Sequence, residues 1–212
     1  MAFDFKKEYR DLYQPKTKPV IIDVPNMRFI AVEGSGDPNE ENGAYSNAVG
    51  ALYAVAYTLK MSYKTDHVIP GFYEYVVPPL EGFWWQPGIA GVDYANKSTF
   101  HWVSAIRVPE FVDDTQFAWA IEAATAKKKL DLSRVQLVEL HEGTCVQCMH
   151  IGPYDNEPAT IDLMHEFAES QGYELDFSDE RRHHEIYLSD PNKAKPEKLK
   201  TVVRHPIRKA QS

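Results

Sequence analysis

Cysteine is scarce in this 212-residue chain, which contains only Cys145 and Cys148. Their C-x-x-C spacing is also found in redox and metal sites. The surrounding residues predict a strand, however, and strand residues three apart point to opposite faces of a sheet. No second C-x-x-C completes a zinc site. We therefore expect two reduced, structural thiols rather than a disulfide framework or a redox centre.

Positive charge is also in short supply, since 23 Lys and Arg residues face 31 Asp and Glu residues and the formal net charge is -8. Binding to a phosphate backbone requires a concentrated basic surface that releases counterions. The one tight basic run, Lys127-Lys128-Lys129, ends a helix that is predicted to start at Asp113, and cations there complement the helix dipole. We therefore expect no nucleic-acid partner.

Long hydrophobic runs are missing too. No apolar stretch approaches the roughly 20 residues that a bilayer span requires, and the charged N-terminus does not resemble a signal peptide. The segment Gly34-Ser35-Gly36 lacks the later glycine of a dinucleotide loop and the Gly-Lys-Ser/Thr of a phosphate loop. The sequence thus predicts a cytoplasmic protein with no membrane partner, no nucleotide and no other cofactor.

What the chain does contain is a repeated order of elements. A strand, a loop rich in Gly, Pro and Asn, a helix and a strand with a single acid are predicted over 27–77 and again over 145–188. In the second copy, Glu185 shares one strand face with a tyrosine while two aliphatic residues point to the other face. In the first copy, the predicted strand Phe72–Val77 places Glu74 at the equivalent position. A duplicated half-domain usually leaves a groove along its pseudo-twofold axis, which suits a small-molecule site.

The order of elements predicts the α+β class, with antiparallel strands covered on one side by helices. A short amphipathic segment, residues 1–25, is expected to dock on a single domain formed by residues 26–212. The two halves of that domain are expected to span about 26–130 and about 135–206. The stretch Leu80–Pro87, which follows two prolines, is predicted to be irregular.

Four segments carry a resemblance to a known family. They are Gly34–Asn39, His150–Tyr154, His184–Pro191 and Pro196–Thr201. In these segments, and over 27–206 as a whole, the chain resembles the stand-alone GyrI-like proteins. The resemblance implies two βαββ half-units related by a pseudo-twofold axis, with drug-like ligands held in the groove between them.

The family that the chain resembles includes effector domains of multidrug-responsive transcription regulators, a DNA gyrase inhibitor and solitary members. Some solitary members resemble hydrolases that open the cyclopropane ring of DNA-alkylating natural products. Regulators carry a helix-turn-helix module before this domain, whereas only a short segment precedes Met27 here, so DNA binding is not expected. The stretch Pro78–Trp85 is similar to an elaboration of the solitary members and supplies bulky aromatic residues beside the groove.

Glu185 is the first candidate for a functional residue. A carboxylate on a strand face walled by Trp and Tyr is poorly solvated, which is expected to raise its pKa and strengthen it as a base. It would take a proton from a water that attacks a strained carbon, while Tyr187 or Tyr154 donates to the carbonyl where negative charge gathers. In a binding protein, the same carboxylate would attract an organic cation, helped by aromatic faces. The other predicted ligand-binding residues are Glu74, Tyr75, Trp84, Trp85 and Trp102.

Structural roles compete with these assignments. Glu185 could equally be an exposed strand acid that pairs with Arg181, Arg182 or Lys193. The tryptophans could fill the core or anchor a loop, and Tyr154 could fix a turn. These alternatives stay open at the level of sequence.

A metal site is a further alternative, suggested by the run His183-His184-Glu185. Adjacent strand residues face opposite sides of a sheet, so at most one His and one Glu share a face. One His and one Glu do not complete a typical ligand set. We therefore expect no metal.

Two functions from different classes fit these residues. As an enzyme, the protein would add water to flat, electrophilic aromatic xenobiotics, opening a cyclopropane ring and detoxifying the compound. As a binding protein, it would sequester hydrophobic or cationic aromatic drugs in the same groove without turnover. A third alternative, suggested by the gyrase branch of the family, is an inhibitor of a partner protein. The Trp-rich stretch and the missing DNA-binding module favour the hydrolase.

Overall fold

Antiparallel strands provide the framework of the protein. In the computed structural model, which describes residues 2–127, 130–191 and 193–211, nine strands form one sheet and five helices accompany it. Among these residues, no helix is both long and apolar enough to cross a lipid bilayer. The strands are β1 Val20–Val24, β2 Met27–Ser35, β3 Leu80–Trp85, β4 His101–Arg107, β5 Gln136–Leu140, β6 Gly143–Ile151, β7 Tyr173–Leu175, β8 His183–Tyr187 and β9 Lys200–Lys209. The helices are α1 Phe5–Glu8, α2 Arg10–Tyr13, α3 Ala44–Lys60, α4 Asp114–Lys127 and α5 Glu157–Ser170.

The sheet is symmetric about its centre. Its strand order is β1-β6-β9-β8-β3-β4-β2-β5, with β7 beside β9. From the central β3–β8 pair outward, β4 and β2 on one side match β9 and β6 on the other. The leading strands are exchanged, because β1 pairs with β6 of the second half and β5 pairs with β2 of the first. The structure thus confirms the α+β class and the two βαββ half-units.

The first half contributes β3 to the centre of the sheet, where this strand pairs with β4 on one edge and with β8 of the second half on the other. The prediction of a strand at Phe72–Val77 is wrong, because the structure gives that segment a single isolated bridge, from Tyr75 to Phe3. The prediction that Leu80–Pro87 is irregular is also wrong. Two prolines and Gly82 suggested a break, but pairing on both edges outweighs local preference in a central strand.

The pairing register identifies the symmetry counterpart of Glu185. Gly82 and Glu185 occupy the same place in their half-units, and the predicted counterpart, Glu74, is exposed outside the sheet. The assignment of Glu74 as the symmetry mate is therefore wrong. The equivalent cross-strand rows are Val32, Ser104 and Gly82 in the first half and Cys148, Val203 and Glu185 in the second.

Each face of the sheet has its own core. The long helices α3 and α5 cover one face, where they bury Leu59 and Met164. The short helices α1 and α2 cover the other face, where Tyr13 is buried. Cys145 lies in the core of the second face and Cys148 in the core under α5, so the two free thiols point apart as predicted.

Helix α4 follows the first half-unit. The carboxylate of Asp113 accepts a hydrogen bond of 2.9 Å from the backbone N–H of Gln116, which caps the start of the helix as predicted. The predicted end at about Lys129 and the basic residues Lys128 and Lys129 lie outside the described part of the chain.

Two glycines of the first half are expected to respond oppositely to alanine. A Cβ on Gly34 in β2 would lie 2.3 Å from the buried ring of Trp102, so Gly34→Ala is expected to lower the free energy of unfolding by about 1–3 kcal/mol. A Cβ on Gly50 in α3 would meet open space, so Gly50→Ala is expected to raise it by about 0.5–1 kcal/mol. Chemical denaturation measures both shifts. A stabilised Gly34→Ala variant would contradict the described packing of Trp102.

Candidate functional site

A pocket of about 990 Å³ opens on the face covered by α3 and α5, where β3 and β8 meet. Its size suits a drug-sized ligand, and it lies on the pseudo-twofold axis between the half-units. Glu185 of β8 is at its base, and much of its wall is aromatic. The aromatic lining includes Tyr45, Trp84, Tyr94, Phe100, Tyr154 and Tyr187.

Glu185 is buried at the base of the pocket, with 7% of its surface exposed. Its Oε1 lies 2.8 Å from Nε2 of His183, and its Oε2 accepts a hydrogen bond of 2.7 Å from the hydroxyl of Tyr187. The indole N–H of Trp84 donates in turn to that hydroxyl at 3.0 Å. Burial acts to raise the pKa of Glu185, but the hydrogen bond and electrostatic attraction of His183, together with the hydrogen bond from Tyr187, outweigh it and the pKa is lowered. The prediction of a raised pKa is therefore wrong for this residue.

Glu185 does not form the surface ion pair that was the structural alternative. Arg181 and Lys193 pair with aspartates instead. The guanidinium group of Arg182 lies 3.3 Å from the ring centre of Trp85. The burial of Glu185 follows from its strand, because β8 is central and this face lies beneath the pocket.

Glu157, the first residue of α5, is the functional candidate that sequence reasoning missed. It is fully buried, and the hydroxyl of Tyr94 donates to its Oε2 at 2.7 Å. Within the described part of the chain, its Oε1 is buried without a hydrogen-bond donor. An acid in the first turn of a helix is usually explained by the helix dipole. The only available signal was its position just after the His150–Tyr154 motif.

The pKa values of the two carboxyl groups are shifted in opposite directions. Burial, and then the charge of Glu185, raises the pKa of Glu157 well above its ordinary value. The pKa of Glu185 is lowered, and its contact with Glu157 contributes to that shift. Like charges disfavour one another in a buried site, so a proton shared by the pair favours Glu157 over Glu185.

A metal ion is the other species that could bridge these groups. Glu157, His183 and Glu185 each offer one ligand atom, and these atoms lie within 4.8 Å of one another. A metal would take the lone pair of His183 Nε2, which is available only in the tautomer that carries the ring proton on Nδ1. We assign the cluster to acid–base chemistry, because a carboxylate at Glu185 accepts a hydrogen bond when His183 carries its proton on Nε2.

Four of the residues predicted for the site meet at the pocket. Besides Glu185, these are Tyr187, Tyr154 and Trp84. The rings of Tyr154 and Tyr187 pack edge to face, with centres 5.7 Å apart. They place two phenols beside the carboxylate.

The other four predicted residues lie elsewhere. Trp102 is fully buried in the core, with its ring centre 5.1 Å from that of Tyr45. Trp85 stacks with Arg182, and Tyr75 is buried on the opposite face of the sheet. Glu74 is exposed. The structure therefore brings none of these four side chains to the lining of the pocket.

Gly82 explains why the site is asymmetric. A Cβ at this position would lie 2.5 Å from Nε1 of Trp84 and 2.8 Å from the hydroxyl of Tyr187. These two side chains are symmetry counterparts that meet across the axis on a 3.0 Å hydrogen bond. The missing side chain at Gly82 leaves room for this contact, which in turn directs the Tyr187 hydroxyl to Glu185.

The opposite face of β8 carries a second buried network, centred on His184. Its two ring nitrogens each lie 2.9 Å from a carboxylate oxygen, one from Glu81 and one from Glu142. Arg204 donates to Glu142 at 2.9 Å, and Tyr13 of α2 donates to Glu81 at 3.2 Å. This network ties the N-terminal helices to the strand that carries Glu185.

The charges in this network stabilise one another. Burial acts to raise the pKa of Glu142, but His184 and Arg204 outweigh it and lower the pKa to about 2. Burial acts to lower the pKa of His184, but Glu142 and Glu81 outweigh it and the pKa is raised. Glu142 is therefore a carboxylate at neutral pH, paired with Arg204 and His184, and the network holds β8 from behind.

Fold and site together define a duplicated α+β protein with an aromatic small-molecule pocket on its pseudo-twofold axis. The family model of the GyrI-like small-molecule-binding domain matches residues 17–208. The chain belongs to the GyrI-like family, as its sequence motifs predicted.

Similar solved structures come from Listeria innocua. A hydrolase from this organism is 46% identical, with a TM-score of 0.89 over 98% of this chain and 100% of its own. An uncharacterized conserved protein is 48% identical, with a TM-score of 0.92 over the same shares. The C-terminal domain of EcmrR, 12% identical with a TM-score of 0.55 over 91% of this chain and 98% of its own, shares the fold alone. No match to this chain was found among curated proteins.

Removing the charge of Glu142 is expected to destabilise the protein in a pH-dependent way. Its folded pKa of about 2 lies below its ordinary value of 4.5, so its stabilisation is complete above pH 4.5 and is lost as the pH falls towards 2. Glu142→Gln is expected to cost about 3–5 kcal/mol at neutral pH, because Arg204 loses its buried partner. Chemical denaturation between pH 7 and about pH 2.5 measures the difference from wild type.

The matched control is Glu139→Gln, which removes an exposed carboxylate from the neighbouring strand β5. We expect that control to unfold like wild type. A Glu142→Gln deficit of the same size at every pH would contradict the assigned ionisation.

Proposed function

We propose that the protein binds flat, aromatic small molecules in this pocket and hydrolyses electrophilic, cyclopropane-bearing compounds among them. The observation that carries the proposal is the pair of buried carboxyl groups at the base of the aromatic pocket, where Glu185 lines the pocket with a lowered pKa and Glu157 lies beside it with a raised pKa. An acid and a base side by side suit the addition of water to a strained ring.

Binding would rest on the aromatic walls. Trp84, Tyr154 and Tyr187 offer ring surfaces on which a flat ligand would stack. The charge of Glu185 would add attraction for a ligand that carries or develops positive charge. The ligand would also displace water, which strengthens the electrostatic interactions within the pocket.

The chemistry would use both carboxyl groups. Glu185 takes a proton from a water whose oxygen forms a bond to a methylene carbon of the cyclopropane. The strained C–C bond breaks, and its electron pair moves onto a carbonyl oxygen conjugated with the ring. Glu157 is fully buried and does not line the pocket, so its proton reaches that oxygen through Tyr94, whose hydroxyl bonds to Glu157 and lines the pocket. Tyr94 gives its own proton to the oxygen and takes the proton of Glu157. The phenol of Tyr154 is a second donor.

The cycle closes without an external proton. After ring opening, Glu185 is protonated and Glu157 is ionised, so one proton passing between them restores the starting state. The product contains the substrate plus one water, with a new alcohol and a new enol or phenol. The 46% identity to a hydrolase of Listeria innocua over nearly the whole chain supports this reaction class.

Sequestration without turnover is the second candidate. The observation that favours it is the set of hydrogen bonds that Glu185 receives from His183 and Tyr187, which stabilise a permanent negative charge. Such a charge among aromatic rings suits an organic cation as well as it suits a reacting water. The two candidates differ in whether product is formed.

Replacing the base is the direct test of the proposal. We expect wild type to convert a cyclopropane-bearing alkylator into its water adduct, and Glu185→Gln to be slower by about 10²–10⁴-fold because the amide cannot accept a proton. Mass spectrometry of the product measures the rate. The matched control is Glu166→Gln, an exposed glutamate of α5, which should leave the rate unchanged. Stoichiometric uptake of the compound without product by wild type would favour sequestration.

Replacing Glu157, the proposed acid, should change how the activity depends on pH. The proposed cycle needs Glu157 protonated, so activity is expected to fall as the pH rises through its raised pKa. Glu157→Gln supplies an N–H donor that does not ionise at that pH, so the alkaline limb should disappear while the maximal rate also drops. Rates of product formation across the pH range measure both effects. An unchanged alkaline limb would remove Glu157 from the mechanism.

A further inference from the structure

Three imidazoles form a line of hydrogen bonds from the base of the pocket to helix α5. Nε2 of His183 lies 2.8 Å from Glu185, and Nδ1 of His183 lies 2.6 Å from Nε2 of His205. Nδ1 of His205 lies 2.7 Å from Nε2 of His165 on α5. His183 and His205 are fully buried, whereas His165 is partly exposed. The line therefore links Glu185 to a residue at the protein surface.

The ionised state of Glu185 determines how the protons are arranged along this line. A carboxylate only accepts hydrogen bonds, so His183 must donate from Nε2. With one N–H on each ring, Nδ1 of His183 then accepts from His205, and Nδ1 of His205 accepts from His165. Burial lowers the pKa of His165 and, together with the neighbouring imidazoles, lowers that of His205 well below its ordinary value. Both shifts favour the neutral forms of His205 and His165, in which each ring carries one N–H.

The opposite set of tautomers is unfavourable where His183 meets Glu185. If each ring carried its proton on Nδ1, the lone pair of His183 Nε2 would face the carboxylate at 2.8 Å. That contact is repulsive unless the proton of the carboxyl pair moves from Glu157 to Glu185. The tautomer of His183 and the position of the shared proton are thus coupled.

We propose that His205 and His165 are positioning residues that hold His183 as the Nε2–H donor and thereby keep Glu185, rather than Glu157, as the ionised carboxyl. The proposal rests on the proposed acid–base pair and deepens it. Neither histidine lines the pocket. Both act through His183, much as a buried partner fixes the tautomer of a catalytic histidine.

The groups around the three histidines offer them few other hydrogen-bond partners. The ring of Phe177 packs edge-on against His205 at 4.9 Å, and the ring of Tyr94 lies 6.4 Å from that of His183. Helix α5 supplies both His165 and Glu157, so one helix holds the outer end of the chain and the acid of the pair. The titratable groups that face the three histidines and Glu185 are Glu157, Tyr45, Tyr94, Tyr154, Tyr187 and Asp162.

The first test exploits the chemistry of the outermost ring. His165→Leu removes the donor to His205. His205 and His183 are then free to move their protons to Nδ1, and Glu185 loses the hydrogen bond from His183. His165→Gln restores an N–H donor. We expect His165→Leu to move the acid limb of the kcat/KM profile for the cyclopropane-bearing alkylator upward by about one pH unit and to lower kcat about tenfold. His165→Gln should stay within about twofold of wild type.

The control for loss of a histidine elsewhere is His67→Gln. His67 stacks on Trp119 and forms a hydrogen bond with Gln116, away from the three histidines. The pH profile of kcat/KM for His67→Gln should therefore match that of wild type. An unshifted acid limb in His165→Leu would overturn the proposal while leaving the hydrolase intact. Equal shifts in the Leu and Gln variants would overturn it too, because they would reflect packing alone.

The second test does not depend on turnover. Nitrogen NMR of ¹⁵N-histidine-labelled wild type is expected to show His183, His205 and His165 as Nε2–H tautomers, and carboxyl ¹³C NMR should show a higher pKa for Glu185 in His165→Leu than in wild type. A Nδ1–H or doubly protonated His183 would overturn the proposal. If wild type forms no product, the hydrolase proposal fails, and these spectra still decide whether the chain controls the ionisation of Glu185.

Discussion

Two carboxyl groups that are buried side by side cannot both be charged, and this constraint organises the site. Glu185 accepts hydrogen bonds from His183 and Tyr187, which lower its pKa, whereas Glu157 accepts one from Tyr94 and its pKa is raised. Because both groups are buried, the difference between them arises from the supply of donors. In the function that we propose, Glu185 is therefore the base and Glu157 the acid beneath an aromatic pocket.

The fold brings these groups together by duplicating a half-unit and then breaking the symmetry at one position. The antiparallel pairing of β3 with β8 puts equivalent residues on both sides of the axis. Glu185 lies on one strand and Gly82 on the other, and the space at Gly82 lets Trp84 and Tyr187 meet across the axis. The start of α5 then adds Glu157 from above. A symmetric pair of acids on the two strands would have left no room for that contact.

Local pattern was informative wherever an element followed its own periodicity. Alternation predicted β8 and the face that carries Glu185, and the motif His150–Tyr154 indicated the family. Pattern was misleading at β3, because two prolines and Gly82 suggested a break and only pairing with β4 and β8 makes that segment a strand. Glu157 was missed because its role depends on a partner from a distant strand. The burial of Trp102 likewise depends on tertiary packing, because the sequence alone does not distinguish an aromatic residue in a core from one in a pocket.

The most direct measurement of the central claim is a neutron crystal structure of the deuterated protein at neutral pH, which locates each proton of the carboxyl pair. The account predicts one deuteron on Glu157 directed towards Glu185, none on either oxygen of Glu185, and one on Nε2 of His183. A deuteron on Glu185 with Glu157 ionised, or a pair in which both carboxyls are ionised, would contradict it.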